Sequence, residues 1–106
     1  MALTSSTISN TATSIFTSVG SSVVTAAYFC NSGSLPVLLT VHAVPSGNSA
    51  SVDNAIYYQI PLTINDTYVL DTEKLVLDDG DSLHAVINLT ANANVRVVAT
   101  VSTIGV

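Results

Sequence analysis

Imidazole is the side chain that titrates near neutrality, so His42 and His84 are the residues of this chain best suited to acid–base or metal chemistry. Both fall on the more polar side of an alternating run, where they could meet across a sheet as a metal pair or a base. Two imidazoles alone make a weak site. Structural zinc takes four ligands, and a nucleophilic Ser or Cys needs a base that a third group orients. No G-x-S-x-G elbow, G-x-G-x-x-G turn or G-x-x-x-x-G-K loop is present, although a triad assembled from distant positions stays open. The expectation is no catalytic, cofactor-binding or metal-binding residue, with both histidines at the surface.

The remaining candidates have bland readings that outweigh the sharp ones. Asp78-Asp79-Gly80-Asp81 offers hard oxygens for calcium, but an EF-hand-type loop spreads its ligands over about twelve positions and ends in glutamate. Carboxylates bunched around one glycine are what a tight turn between strands uses. Cys30 lies in an apolar run without a neighbouring Lys or Arg to lower its pKa, so it reads as an inert core thiol. Tyr28, Tyr57, Tyr58 and Tyr68 could stack on a sugar, yet six aromatics and no tryptophan favour core and interface roles. Asn65-Asp66-Thr67 and Asn88-Leu89-Thr90 match the glycosylation sequon, which chance supplies in a chain so rich in Asn, Ser and Thr.

Composition narrows the setting in which these residues sit. The chain has 106 residues, enough for one domain, and is 48% hydrophobic but 8% charged. That balance excludes disorder, and it excludes a helical bundle, whose exposed faces need Glu, Lys and Arg. Lys74 and Arg96 against seven acidic residues give a net charge of −5, so phosphate backbones and anionic membranes are poor partners. A single cysteine rules out an intrachain disulfide framework and fits a reducing compartment. No signal peptide is visible at the start, and no apolar run reaches the roughly 18 residues of a membrane helix. A mean hydropathy of +0.56 must then reflect strands with small uncharged outer residues, plus apolar surface covered by another subunit.

The pattern along the chain is β almost throughout. Residues 22–30 and 36–44 alternate as strands, and the turn cluster Asn31-Ser32-Gly33-Ser34 predicts that they pair as an antiparallel hairpin. Both faces of the first run are apolar enough to be covered, while the thinner polar face of the second should look outward. Pro45 to Asn54 reads as a surface loop. In the next run Ile56, Tyr58, Ile60 and Leu62 alternate with Tyr57, Gln59 and Pro61, the proline marking an edge or a ladder end. Short strands over Tyr68-Val69-Leu70 and Leu75-Val76-Leu77 follow. Leu83 to Leu89 and Val95 to Val101 alternate cleanly around Asn92-Ala93-Asn94 and read as a final hairpin. The fold class expected is all-β, a single antiparallel β-sandwich, Ig-like or jelly-roll-like, over residues 22–106. Residues 1–21, nearly all Ser, Thr, Asn and Ala, read as an extended N-terminal arm. Its Ile8 and Ile15-Phe16 could add strands to its own sheet or to a neighbour's.

One resemblance rests on ordered motifs: Tyr28-Phe29-Cys30-Asn31, Val41-His42-Ala43-Val44-Pro45-Ser46-Gly47, Asn65-Asp66-Thr67-Tyr68-Val69-Leu70, Glu73-Lys74-Leu75-Val76-Leu77 and Gly80-Asp81-Ser82-Leu83. This order, over the last three quarters of the chain, resembles small virion structural proteins of tailed bacteriophages, notably of cyanobacterial myoviruses. The resemblance implies a non-enzymatic β-sandwich component located on the capsid or on the tail, baseplate or fibres. The function expected is therefore a virion structural protein, a capsid decoration or a tail- or baseplate-associated subunit. It would contact other virion proteins and copies of itself, as a trimer or higher, and neither nucleic acid nor membrane. Ile8, Ile15, Phe16, Tyr57 and Tyr58 are the expected interface residues. The alternative is a carbohydrate or host-receptor binding module contacting its ligand through Tyr57, Tyr58 and the loop Ser46 to Asn54.

Overall fold

Period-two alternation gives each strand one apolar side, and two sheets then bury those sides against each other. The computed structural model describes residues 2–70, 74–89 and 94–105. Among the described residues there are nine strands: β1 Ala2–Ile8, β2 Thr13–Thr17, β3 Ser22–Asn31, β4 Val37–Val44, β5 Ala55–Leu62, β6 Thr67–Leu70, β7 Leu75–Leu77, β8 Ser82–Ile87 and β9 Val97–Gly105. One sheet runs β1-β9-β3, with β6 and β7 both pairing the far side of β3; the other runs β2-β8-β4-β5. Every strand pairing is antiparallel. The fold is thus the expected all-β, two-layer sandwich.

The N-terminal segment is not an arm held apart from this sandwich; of the two options for Ile8 and Ile15-Phe16, their segments add strands to the chain's own sheets. It forms β1 at the edge of the five-stranded sheet and β2 at the edge of the four-stranded sheet. Ile8 and Ile15 are 0% and 1% exposed and lie in the same core as Phe29, Leu39, Leu83 and Val101. Two large apolar residues in a Ser/Thr-rich stretch are enough because each strand needs only one deep anchor once a ladder supplies its backbone hydrogen bonds.

The two expected hairpins are also replaced. β3 and β4 lie in different sheets, as do β8 and β9, so these pairs face each other across the core. The crossover after β3 is held by Asn31, whose side chain is 0% exposed. Its Nδ2 donates to the carbonyls of Leu35 (2.9 Å) and Leu62 (3.1 Å), and its Oδ1 accepts from Gly33 N–H. Ser32 and Ser34 then donate to the carbonyls of Arg96 and Asn94, tying the crossover to the approach of β9. The chains pass so closely that a Cβ on Gly33 would lie 2.6 Å from Asn94 O, which is why glycine stands there. Of the second expected turn, Asn92 and Ala93 lie outside the described residues.

Bulges in β3 and β5 shift which side of each strand faces inward. In β3 the register with β9 slips between Val24 and Ala26, so Val24 points inward before it and Ala27, Phe29 and Asn31 after it. Thr25 caps the irregularity by donating through Oγ1 to Ser102, while its carbonyl accepts from Lys74 Nζ. In β5 the first of two slips falls opposite Thr40. Tyr57 is turned toward the core and Ile60 and Leu62 follow it, while Tyr58 points outward. As expected from Pro61, β5 is an edge strand.

Because Ile8 and Ile15 are core residues, Ile8→Ala and Ile15→Ala are each expected to lower unfolding free energy by about 2–5 kcal/mol. Urea denaturation checks this; a loss below about 0.5 kcal/mol at both sites, the size of an ordinary surface change, would restore the detached arm.

Candidate functional site

His42 and His84 do meet. β4 and β8 pair with these two residues directly opposite, both on the outer side of the four-stranded sheet. Neither is a freely exposed surface residue. His42 is 6% exposed and His84 is half-buried. His42 is covered by the loop after β4, which turns back over the sheet through a one-turn 3-10 helix, Val52–Asn54, capped by the Ser51 side chain. Asn54 holds the loop down: its Oδ1 accepts from Ser51 N–H and its Nδ2 donates to Ser49 O. With the amide orientation set this way, the 3.1 Å contact to His42 requires the Nδ1–H of that imidazole to donate to Asn54 Oδ1. His84 Nδ1 lies 3.2 Å from Ser82 Oγ. Among the described residues neither imidazole has a carboxylate partner, and no group of three His, Cys, Asp or Glu is placed to hold a metal ion. Burial, and secondarily the charge of His42, hold the His84 pKa below its ordinary value of 6.5.

Beside this pair an open groove of about 330 Å³ runs along the sheet, floored by Leu38, Thr40 and Val86 and walled by Val52, Tyr58 and Gln59. Gln59 has φ +51°, a conformation that non-glycine residues rarely adopt, and its N–H donates to Thr40 Oγ1 at 3.1 Å. The two tyrosines expected to act together point to opposite faces, as neighbours in a strand do. Tyr57 turns inward and meets Tyr68 edge-on at 5.6 Å, whereas Tyr58 stays 57% exposed on the groove wall. A platform built from both rings is not assembled. The bulge has no compositional signature; that adjacent strand residues point to opposite faces was the signal available for the tyrosines.

The other candidates are placed as follows. Ile8 and Ile15 are buried and Phe16 is half-buried against the core, so none offers the interface surface expected of it. Ile8 faces inward by the regular alternation of β1, while a β2 bulge between Ser14 and Phe16 turns both Ile15 and Phe16 toward the core. Cys30 is not a core thiol: past the β3 bulge it lies half-buried on the outer face, opposite Val98 and Thr67. The acidic turn is a clamp on neighbouring backbone. Asp79 Oδ1 accepts from Gly20 N–H, Asp81 Oδ1 from Ser46 N–H and Asp81 Oδ2 from Asp78 N–H, joining three loops at one end of the sandwich. Asn65 sits in an exposed turn at φ +63°. Asn88 Oδ1 accepts from Leu38 N–H, and Thr90 of its sequon lies outside the described residues.

A surface that sequence reading did not single out is the outer face of the five-stranded sheet. Leu3 and Val76 are 71% and 69% exposed there, with Tyr28, Val69 and Ile104 each at 40% or slightly above. The ladder register puts Val23, Val98, Ser102 and Thr100 among them. None of the nine strands contains an Asp, Glu, Lys or Arg, so this face carries no charge of its own. Among the described residues the charged side chains all stand in the connections, which period-two counting treats as mere punctuation. Comparison with protein-family models and with curated proteins finds no match.

Two outcomes test these assignments. Unfolded His84 takes up a proton near 6.5, before the folded form does, so stability should fall as pH drops through 6.5 and level off below the lower folded pKa. Urea midpoints from about pH 8 to about pH 5 should show this slope, and His84→Gln should remove its share; an unchanged slope would refute the assignment. Separately, Asp81→Ala, which strips two backbone N–H groups of their acceptor, should lose about 2 kcal/mol in the same assay.

Proposed function

We propose that this protein is a non-enzymatic structural component of a phage particle, acting through protein–protein contacts made by the outer face of its five-stranded sheet. The observation that carries the reading is the uncharged apolar character of that face, with Leu3 and Val76 each about 70% exposed. Exposed apolar side chains clustered on one face of a small domain mark a surface that another protein covers. Absence of like charge lets copies or neighbours pack there even though the chain carries −5 overall. The particle setting comes from the ordered motifs between Tyr28 and Leu83. It is supported by the general fit of small uncharged β domains to repeated contacts. Capsid decoration and tail or baseplate attachment are both compatible with this chemistry. Among the described residues no helix is long and apolar enough to cross a membrane, and both basic residues lie outside the strands.

A second reading, a carbohydrate or host-receptor module, is favoured by one feature. Tyr58 presents an exposed ring beside the polar groups of Gln59 and Asn88 in the groove of the other sheet. Glycan-array binding that Tyr58→Ala abolishes would support that reading over scaffolding.

The main proposal is tested by mixing purified protein with capsids, and separately with tails, of a cyanobacterial myovirus. Binding to one of them, weakened roughly tenfold or more by Val76→Asp at unchanged melting temperature, is expected. Capsid binding that raises heat resistance would fix a decoration role. Binding to neither particle would overturn the proposal.

A further inference from the structure

Every open sheet has edges, and each exposes a row of backbone N–H and C=O groups able to take another strand. Three of the edges in this sandwich are obstructed. β5 carries Pro61, two register slips and the left-handed Gln59. β2 has five residues and a bulge between Ser14 and Phe16. β6 and β7 are four and three residues long and share one side of β3. The fourth edge, β1, has none of these features. It pairs with β9 over all seven residues, Ala2↔Thr103 to Ile8↔Val97, without a slip, and contains no proline, glycine or charge. Among the described residues nothing pairs its other side.

We infer that β1 is a docking edge whose occupant is β1 of a second copy, the two strands running antiparallel about a two-fold axis at Ser5. This deepens the scaffolding reading and rests on it for its biological purpose. Centring on Ser5 sets Leu3 opposite Thr7, Thr4 opposite Ser6 and Ala2 opposite Ile8, which uses the strand's whole length. Opposed residues share a face in an antiparallel ladder, so outward Leu3, Ser5 and Thr7 meet outward partners and Ile8 stays on the core side. Charge does not bar this occupant. The chain repels its copies through a net −5, but β1 and its neighbour β9 hold no charged residue, so this is an approach with no carboxylate on either strand. A two-fold contact closes on itself and uses up the one unobstructed edge. Meanwhile the two uncharged outer faces become continuous and remain open to larger assemblies.

Light scattering of the full chain is expected to give a dimer or a multiple of it, and Ser5→Lys, which sets two lysines opposite each other, should weaken association roughly tenfold or more. Far-UV circular dichroism and melting temperature would show that the variant keeps its fold. Independently, Ser5→Cys in a Cys30→Ser background should oxidise to a disulfide-linked dimer, since opposed Cα atoms lie within disulfide range, whereas Thr13→Cys on the bulged edge should not. A monomeric wild type, or a dimer indifferent to Ser5→Lys and cross-linking equally at both positions, would overturn the inference. So would a monomeric wild type whose particle binding Ser5→Lys abolishes, because β1 would then be taking a foreign strand. Failure here is separable from failure of the function: a Ser5→Lys monomer that still binds particles leaves scaffolding intact, and a dimer that binds none leaves the edge pairing intact.

Discussion

Nine strands without one formally charged side chain set the terms for the rest of this molecule. A sandwich buries one side of each sheet against the other, and the outer sides are normally kept in solution by Lys, Glu and Arg. Here Ser and Thr hydroxyls do that work, and they hydrate a surface less strongly than charge does. The outer faces therefore stay partly apolar, and the carboxylates are displaced to the connections. There they act structurally, as at Asp79 and Asp81, whose oxygens accept backbone N–H groups from loops that have no ladder partner. The same displacement leaves charge unable to guard the sheet edges, so β5 and β2 are guarded by a proline and by bulges instead.

The opposite end of the sandwich shows how a polar residue can fix topology in so apolar a chain. Asn31 is fully buried and bonds to residues 33, 35 and 62, while its own backbone joins the turn at 65–66. A buried amide has few ways to be satisfied, and each unsatisfied group costs about 1–3 kcal/mol. Pairing β3 with β4 as a hairpin would leave this side chain without its Leu62 partner on β5. Asn31 thus ties the crossover between sheets to one arrangement, and apolar packing, which is indifferent to such choices, fills in around it.

How much of this was legible follows from what alternation measures. Period two reports that one side of a strand is covered, which was enough for the all-β class, for the position of β3 and β4 to within a residue, and for the edge placement of Pro61. It cannot report what does the covering. A hairpin mate and a strand across the core leave the same trace, so the β3–β4 and β8–β9 connections were mistaken for hairpins. Bulges are invisible to it as well: a single inserted residue near Thr25 sends Cys30 outward, and another near Gln59 alters the side on which Ile60 lies. The histidines were legible as a pair because β4 and β8 are regular where they meet; the loop that covers His42, anchored by Asn54, was not.

The arm was the largest misreading, and its cause connects the fold to its use. Composition alone makes residues 2–17 look unable to hold a core, and in isolation they could not. Once β9 and β8 exist, however, a Ser/Thr strand needs only a ladder and one isoleucine to be secured, which is what Ile8 and Ile15 provide. β1, secured this way, has no charge, proline or bulge to protect its free side. Uncharged faces and an undefended edge are therefore two outcomes of one compositional choice. That choice suits a chain whose outer surface is finished by other molecules better than one that must remain alone in water.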